Sequence, residues 1–169
     1  METTCLIRKM QTSDVKELSQ GFINQGWPGR EEILARYFLE QECGEREVLV
    51  AEVEGALAGY ITILSCAKQG PFAGMAPELS DFNVFEPFQN QGIGNLLLEE
   101  AEKQVRLISD KVTLGVGLHS GYGPAQRLYI KRGYIPDGTG VWYQNHQPAM
   151  NAVCEDIGEL VLYLSKNLF

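Results

Sequence analysis

The chain lacks any apolar stretch approaching the roughly 18 residues of a membrane-spanning helix. Residues 1–10 also lack the long apolar core of a signal peptide. Basic residues are in the minority: 14 Lys plus Arg stand against 22 Asp plus Glu, for a net charge of −8. That balance argues against a partner held through its phosphate backbone, which takes a basic face. An acidic surface favours a cationic substrate, and equally serves solubility. Cysteine is sparse, and Cys5, Cys43, Cys66 and Cys154 fit no CxxC or zinc spacing. They read as free thiols in a reducing compartment, and no metal is expected. The expectations from these absences are a cytoplasmic location, with neither membrane nor nucleic acid as a partner. Internal repeats, low-complexity tracts and Pro/Ser-rich linkers are missing too. The 169 residues are the size of one domain, 1–169, large enough to bury a core without disulfides.

What is present is a chain of alternating patterns. Residues 3–9 read as a short strand. Thr12, Ser13 and Asp14 offer N-cap side chains to a helix with Val15, Leu18 and Phe22 on one face. Gly26, Pro28 and Gly29 break it, and a second helix follows over about 30–41 with Ile33, Leu34, Tyr37 and Phe38 inward. Residues 47–53 and 57–64 predict a β-hairpin turning at Glu54, Gly55 and Ala56. A loop covers 66–77 and a strand 78–84. A helix over about 92–107 carries Ile93, Leu97, Ala101, Val105 and Ile108 on one stripe, with Glu99, Glu100 and Glu102 as a solvated acidic face. Residues 112–118 alternate, with Val112, Leu114, Val116 and Leu118 on one side and Thr113, Gly115 and Gly117 on the other. Two glycines on one face suggest that something approaches the backbone there. A helix over about 123–132 and short strands near 133–136, 139–144 and 158–165 complete a mixed α/β sheet rather than a regular βαβ repeat.

The most informative stretch is 84–95, VFEPFQNQGIGN, which follows a strand and opens an amphipathic helix. Orphan N–H groups point outward at such a junction and the helix dipole adds positive potential. The glycines let a diphosphate come close to the backbone. A plain turn with tolerated glycines is the alternative. The P-loop is rejected because Gly94 is followed by Asn95 and Leu96, and the dinucleotide GxGxxG because position 97 is Leu97.

What remains is Q/R-x-x-G-x-G/A, met by Gln89, Asn90, Gln91, Gly92, Ile93 and Gly94. Here the sequence resembles the GNAT family of acetyl-CoA-dependent N-acetyltransferases. Residues 125–134, AQRLYIKRGY, look like its second motif, with Ala125, Tyr129, Gly133 and Tyr134 at the usual spacing. The hairpin 48–63 and the segment 159–168 fit the family's β2–β3 pair and closing strand, so the match spans essentially the whole chain. The resemblance implies a single-domain α/β (α+β) fold: a mixed, mostly antiparallel twisted sheet flanked by helices, with strands 78–84 and 112–118 splayed around coenzyme A. It implies acetyl-CoA as cosubstrate, direct attack by an amine in a ternary complex, and a homodimer as one assembly.

The same resemblance assigns candidate residues. Backbone amides from Gln89, Asn90, Gln91, Gly92, Ile93, Gly94 and Asn95 would hold the diphosphate. Main-chain groups of Asn83, Val84 and Phe85 would meet the pantetheine, with the Val84 N–H toward the acetyl carbonyl. The glycine face of 112–118 would flank the same slot. Tyr129 would protonate the leaving sulfur. Glu78 is the candidate base and Asp81 its rival; Glu78 also reads as a solvated strand entry, and Asp81 as a structural carboxylate paired at the sheet surface. Tyr122 stands where relatives often carry an Asn that contacts coenzyme A; in place of that amide contact it would stack on the coenzyme or simply fill the turn. Trp27, Tyr143 and His146, with Trp142, would wall the acceptor site or sit in the core. His119 and His146 read more simply as structural. The acceptor is expected to be a small-molecule primary amine: a polyamine, an amino acid or an antibiotic-like amine. A protein lysine or N-terminus, or a catalytically silent coenzyme-binding module, is the alternative.

Overall fold

The computed structural model describes residues 4–169, so position 3 of the expected first strand lies outside the described residues. The elements are β1 Cys5–Lys9, α1 Asp14–Asn24, α2 Glu31–Glu42, β2 Arg46–Val53, β3 Ala56–Leu64, β4 Glu78–Val84, α3 Ile93–Arg106, β5 Lys111–Gly117, α4 Gly123–Lys131, β6 Ile135–Tyr143 and β7 Leu160–Asn167. One sheet of seven strands runs in the order β1-β2-β3-β4-β5-β7-β6. Pairing is antiparallel for β1–β2, β2–β3, β5–β7 and β6–β7, and parallel for β4–β5. This is the mixed, mostly antiparallel sheet with helices that the resemblance implied. The chain divides into two compact units, Met1–Leu64 with Ser80–Gln104, and Ser65–Leu79 with Val105–Phe169.

In the first unit α1 and α2 bury the faces their periodicity marked. Met10, Val15, Leu18, Phe22, Leu34, Tyr37, Val48, Val50, Leu57, Tyr60 and Phe85 form one core cluster. Full burial of a side chain of this size contributes about 1.5–3 kcal/mol. Val48 to Ala51 and Leu57 to Leu64 are buried without alternation, as in strands covered on both faces. The hairpin turn is tighter than expected. Glu54 and Gly55 both have positive φ, 51° and 83°, and Ala56 already pairs with Val53. Two left-handed residues make the turn whose twist matches the flanking strands.

The α1 entry also differs from expectation. The Ser13 side chain makes no capping bond. Asp14 instead accepts from the Gln11 N–H at 2.7 Å and from both Arg8 Nη atoms, at 2.7 and 3.0 Å.

The buried stripe of α3 is Ile93, Leu97, Leu98, Ala101 and Val105. Glu102, expected on a solvated face, is buried as well, while Ile108, expected on the stripe, lies past the helix end and is exposed. In the second unit Val112, Leu114 and Val116 are buried as expected, but Leu118 falls beyond the strand and is exposed. The two strands expected at 133–136 and 139–144 are one strand, β6, with a register shift between Pro136 and Val141. Gly138 and Gly140, both at positive φ, account for the broken pattern that read as two pieces. All four cysteines are free thiols.

Candidate active site

The first unit holds the strand-to-helix turn. After β4 the chain makes a single helical turn at Glu86–Phe88, then enters α3 at Ile93. Residues 89–92 are exposed and Ile93 is buried, so α3 is anchored in the core while its approach faces solvent. Asn90 and Gly92 are left-handed, with φ of 59° and 82°; Asn tolerates this better than other side chains do. Backbone of this kind gathers successive N–H groups into an anion-binding concavity. At the start of α3 the Leu96 N–H donates to the Gly92 carbonyl. A Cβ built at Gly92 meets nothing within 4 Å, so this side of the turn borders open space. No Lys or Arg lies in 84–98; the positive potential here comes from the main chain.

Two of the expected contact residues have partners inside the chain. The Gln89 N–H donates to the Glu86 carbonyl, and its side-chain Nε2 donates to the Val84 carbonyl at 2.9 Å. Gln89 thus ties the turn to the end of β4. The main-chain groups of Phe85 are also committed: its N–H donates to the Ala58 carbonyl and its carbonyl accepts from the Phe88 N–H. Its ring packs against Phe22 at 5.2 Å.

Asp81 is paired inside the first unit. Arg30 grips it with both Nη atoms, at 3.0 and 2.8 Å. The hydroxyls of Tyr37 and Tyr60 donate to Oδ2, and Asn83 Nδ2 donates to Oδ1 at 2.8 Å. Five donors from within the chain thus occupy its two oxygens. Burial works against the Arg30 charge, but the Asp81 hydrogen bonds hold that guanidinium above its ordinary value. Burial, then the Asp81 charge, pushes the Tyr60 and Tyr37 phenols up. Arg30, Tyr37 and Tyr60 escaped the sequence reading as site residues. They lie 51, 44 and 21 positions from Asp81, and no local motif joins them. Trp27, from the same unit, is exposed.

The second unit holds Tyr129. Its place is set by the end of α4, where Gly133 at φ 94° closes the helix. The Gly133 N–H donates to the Ile130 carbonyl and the Tyr134 N–H to the Tyr129 carbonyl, each at 3.0 Å. This is the Schellman arrangement, and it requires a left-handed residue at that point. It brings the Tyr134 ring edge-on to the Tyr129 ring, with centroids 5.9 Å apart. The spacing Tyr129–Gly133–Tyr134 is therefore a helix cap with a tyrosine fixed inside it. Burial raises the Tyr129 phenol well above its ordinary value, so it stays protonated and can donate.

Glu78 and Leu79 pair with Thr113 and Leu114 of β5. Burial and then the Glu78 charge raise the phenol of Tyr163, a β7 residue opposite Gly115. The glycine face of β5 has an internal cause. A Cβ at Gly115 would come within 2.8 Å of Val161 and 3.0 Å of Tyr163, and one at Gly117 within 2.5 Å of the Tyr122 ring. Tyr122 thus covers Gly117, and the chain's own side chains are what approach this backbone. Tyr143 and His146 flank a two-residue turn at Gln144 and Asn145, and their main chains exchange bonds of 2.8 and 3.2 Å. Trp142 Nε1 donates to Thr139 Oγ1. His119 accepts from the Gly121 N–H and caps the short helical turn 120–122, a structural role. No group of His, Cys, Asp and Glu suited to a metal occurs among the described residues.

The family model described as "Acetyltransferase (GNAT) domain" matches residues 44–136, more than half of the chain and inclusive of both motifs. The chain belongs to the GNAT acetyltransferase family, enzymes that transfer an acetyl group from acetyl-CoA. Among solved structures, the Salmonella typhimurium protein yncA, determined with its cofactor acetyl-CoA, matches at 19% identity and TM-score 0.69 over 98% of this chain and 94% of its own. A ribosomal-protein-alanine N-acetyltransferase from Brucella melitensis matches at 24% identity and TM-score 0.69, over 96% and 99%. A chimera of the spermidine N-acetyltransferase SpeG from Vibrio cholerae with hSSAT matches at 13% and TM-score 0.70, over 97% and 95%. These likenesses concern the fold. No curated protein matches the chain.

Proposed function

We propose that this acetyltransferase acts on a primary amine of a small, cationic molecule, such as a polyamine. The observation that carries the choice is charge: a net −8 draws polycations toward the surface. Likeness to the spermidine enzyme chimera supports it. The second reading, a protein N-terminus or lysine, is favoured by the fold shared with the ribosomal-protein-alanine enzyme, the higher of the two in identity.

Three physical tasks follow from the reaction. Amides of Asn90 to Asn95 hold the diphosphate of acetyl-CoA. The Val84 N–H faces the acetyl carbonyl, where negative charge develops as the amine attacks. An alkyl amine, with a pKa near ~10.4, must lose a proton to attack. Glu78 takes that proton, directly or through water, since Asp81 is engaged by its donors. The nitrogen attacks the thioester carbon; as the carbon–sulfur bond breaks, the departing thiolate takes the proton of the neutral Tyr129 phenol, and the second proton shed by the nitrogen restores that phenol, directly or through water.

The test is thiol release from acetyl-CoA with a panel of polyamines, amino acids, aminoglycoside-like amines and lysine or N-terminal peptides. Polyamine turnover at least ten times that of the peptides, about 1.4 kcal/mol of discrimination, is expected. Peptides as the better substrates would overturn the small-molecule reading. Glu78→Gln should lower kcat most at low pH, where the amine is most charged; an equal loss at every pH would remove Glu78 as the base.

A further inference from the structure

We propose that Asp81 and Arg30 are positioning residues for acetyl transfer, acting through the main chain at the end of β4. Asp81 sits inside a strand yet has φ 49°. Asp tolerates that conformation better than most side chains, but inside a strand it breaks the regular geometry and persists where its surroundings hold it. The surroundings here are unusually complete. Arg30 supplies a two-pronged bond from the loop before α2, Tyr37 a hydroxyl from α2, Tyr60 a hydroxyl from β3, and Asn83 an amide from β4 itself. The neighbouring turn of β4 is also held, since Thr62 Oγ1 donates to the Ser80 carbonyl at 2.6 Å and in turn accepts from Arg46 Nη1 at 2.7 Å.

Arg30 is itself fixed. Its N–H donates to Ser19 Oγ at 2.8 Å, and its guanidinium lies over the Phe22 ring, 5.1 Å from the centroid. The anchor is therefore rigid, and its planar fork matches a carboxylate in a way Lys cannot.

The kink lies two residues before Asn83 and three before Val84. Release of the clamp lets β4 relax toward regular strand geometry, which turns those main-chain groups by a substantial fraction of a residue's alternation. This rests on the reading that Asn83 and Val84 face the thioester. The diphosphate turn at 89–94 is left intact, so the expected signature is a loss of rate with coenzyme binding retained. A purely structural clamp would lower stability and leave the rate per folded molecule unchanged.

The chain offers a matched control: Arg8 and Asp14 form a clamp of the same geometry at the start of α1. The experiment measures kcat, the KM for acetyl-CoA and Tm for wild type, Asp81→Asn, Arg30→Lys, Tyr37→Phe and Asp14→Asn. Asparagine keeps the size of Asp81 and tolerates left-handed backbone, so Asp81→Asn removes the charge-assisted bonds without adding steric strain. Asp81→Asn and Arg30→Lys should lower kcat by about 10- to 100-fold, the scale of a misplacement near 1 Å, with KM for acetyl-CoA nearly unchanged. Tyr37→Phe, which leaves the Arg30 fork in place, should lower kcat by less and covers the case of an unfolded Asp81→Asn. Asp14→Asn should lower Tm and leave kcat alone. If wild type turns over and the Asp81, Arg30 and Tyr37 variants keep its kcat, the positioning role is overturned and the catalytic reading stands. If wild type releases no thiol with any amine, the catalytic reading falls and the positioning role with it.

Discussion

Gly59→Ala puts the end of β4 under a defined load. The φ of Gly59 lies outside the left-handed region, so an alanine there meets only a steric obstacle. Its Cβ would lie 2.2 Å from the Asn83 carbonyl oxygen and 2.9 Å from Val84 Cα. Both are main-chain atoms, and no side chain can rotate out of the way. Restoring the first contact to 3.4 Å, the near edge of ordinary packing, takes a retreat of about 1.2 Å by the strand. Overpacking of this kind costs about 1–3 kcal/mol. A shift of about 1 Å in groups that position a reaction costs up to about 10²-fold in rate. Urea unfolding gives the first number from the change in midpoint at constant slope; thiol release under saturating acetyl-CoA gives the second. Gly123→Ala is the control, since a Cβ there meets nothing within 4 Å and alanine favours a helix. If Gly59→Ala matches wild type in both stability and kcat, the close approach of β3 to β4 has no part in shaping the site.

Further outcomes follow from the second unit. Tyr129→Phe should lower kcat by about 10²-fold or more, the reach of a general acid, with acetyl-CoA affinity retained; full activity would exclude Tyr129 as the proton donor. Gly133→Ala should destabilise by about 1 kcal/mol or more, because alanine is strained at positive φ, and thermal melting reads it directly. Gly115→Val should lower stability through collision with Val161 and Tyr163, so a raised KM for acetyl-CoA with unchanged Tm would restore the glycines to the coenzyme. The phenols of Tyr37, Tyr60, Tyr129 and Tyr163 are all raised above 10.0 in the folded chain. The folded state then keeps protons that the unfolded state loses. Their contribution is fully present below the ordinary phenol value and is lost as pH rises from about 10 through the folded values. Tyrosinate absorbance should show these four titrating above the ordinary phenol range, with stability falling in the same window; all seven tyrosines ionised while the chain is still folded at the ordinary phenol value would contradict it.

The sequence made some of this legible for physical reasons. Helix faces were readable because Val15, Leu18 and Phe22 obey a 3.6-residue period, and the strand-to-helix junction at 84–95 because glycine spacing follows a strand pattern and precedes an amphipathic one. Gly133 and Tyr134 were recognised by spacing, although their work as a helix cap emerges only from the bonds they make. Misread positions share a cause. Ile108 and Leu118 continue a period past the point where the element stops. Glu102 follows two acidic neighbours in sequence, yet helical geometry turns it inward with Leu98 and Val105. Gly115 and Gly117 do mark a close approach, but strand pairing brings Tyr163 there and the following turn brings Tyr122. The Asp81 network could not be read at all, since Arg30, Tyr37, Tyr60 and Asn83 converge from three elements and a loop.

The central claim is that the main chain of the β4–α3 turn grips the coenzyme's diphosphate. A crystal structure of the chain with acetyl-CoA tests it most directly. Diphosphate oxygens are expected at hydrogen-bonding distance, about 3 Å, from backbone nitrogens between Asn90 and Asn95. Clear density for the coenzyme away from that turn would contradict it.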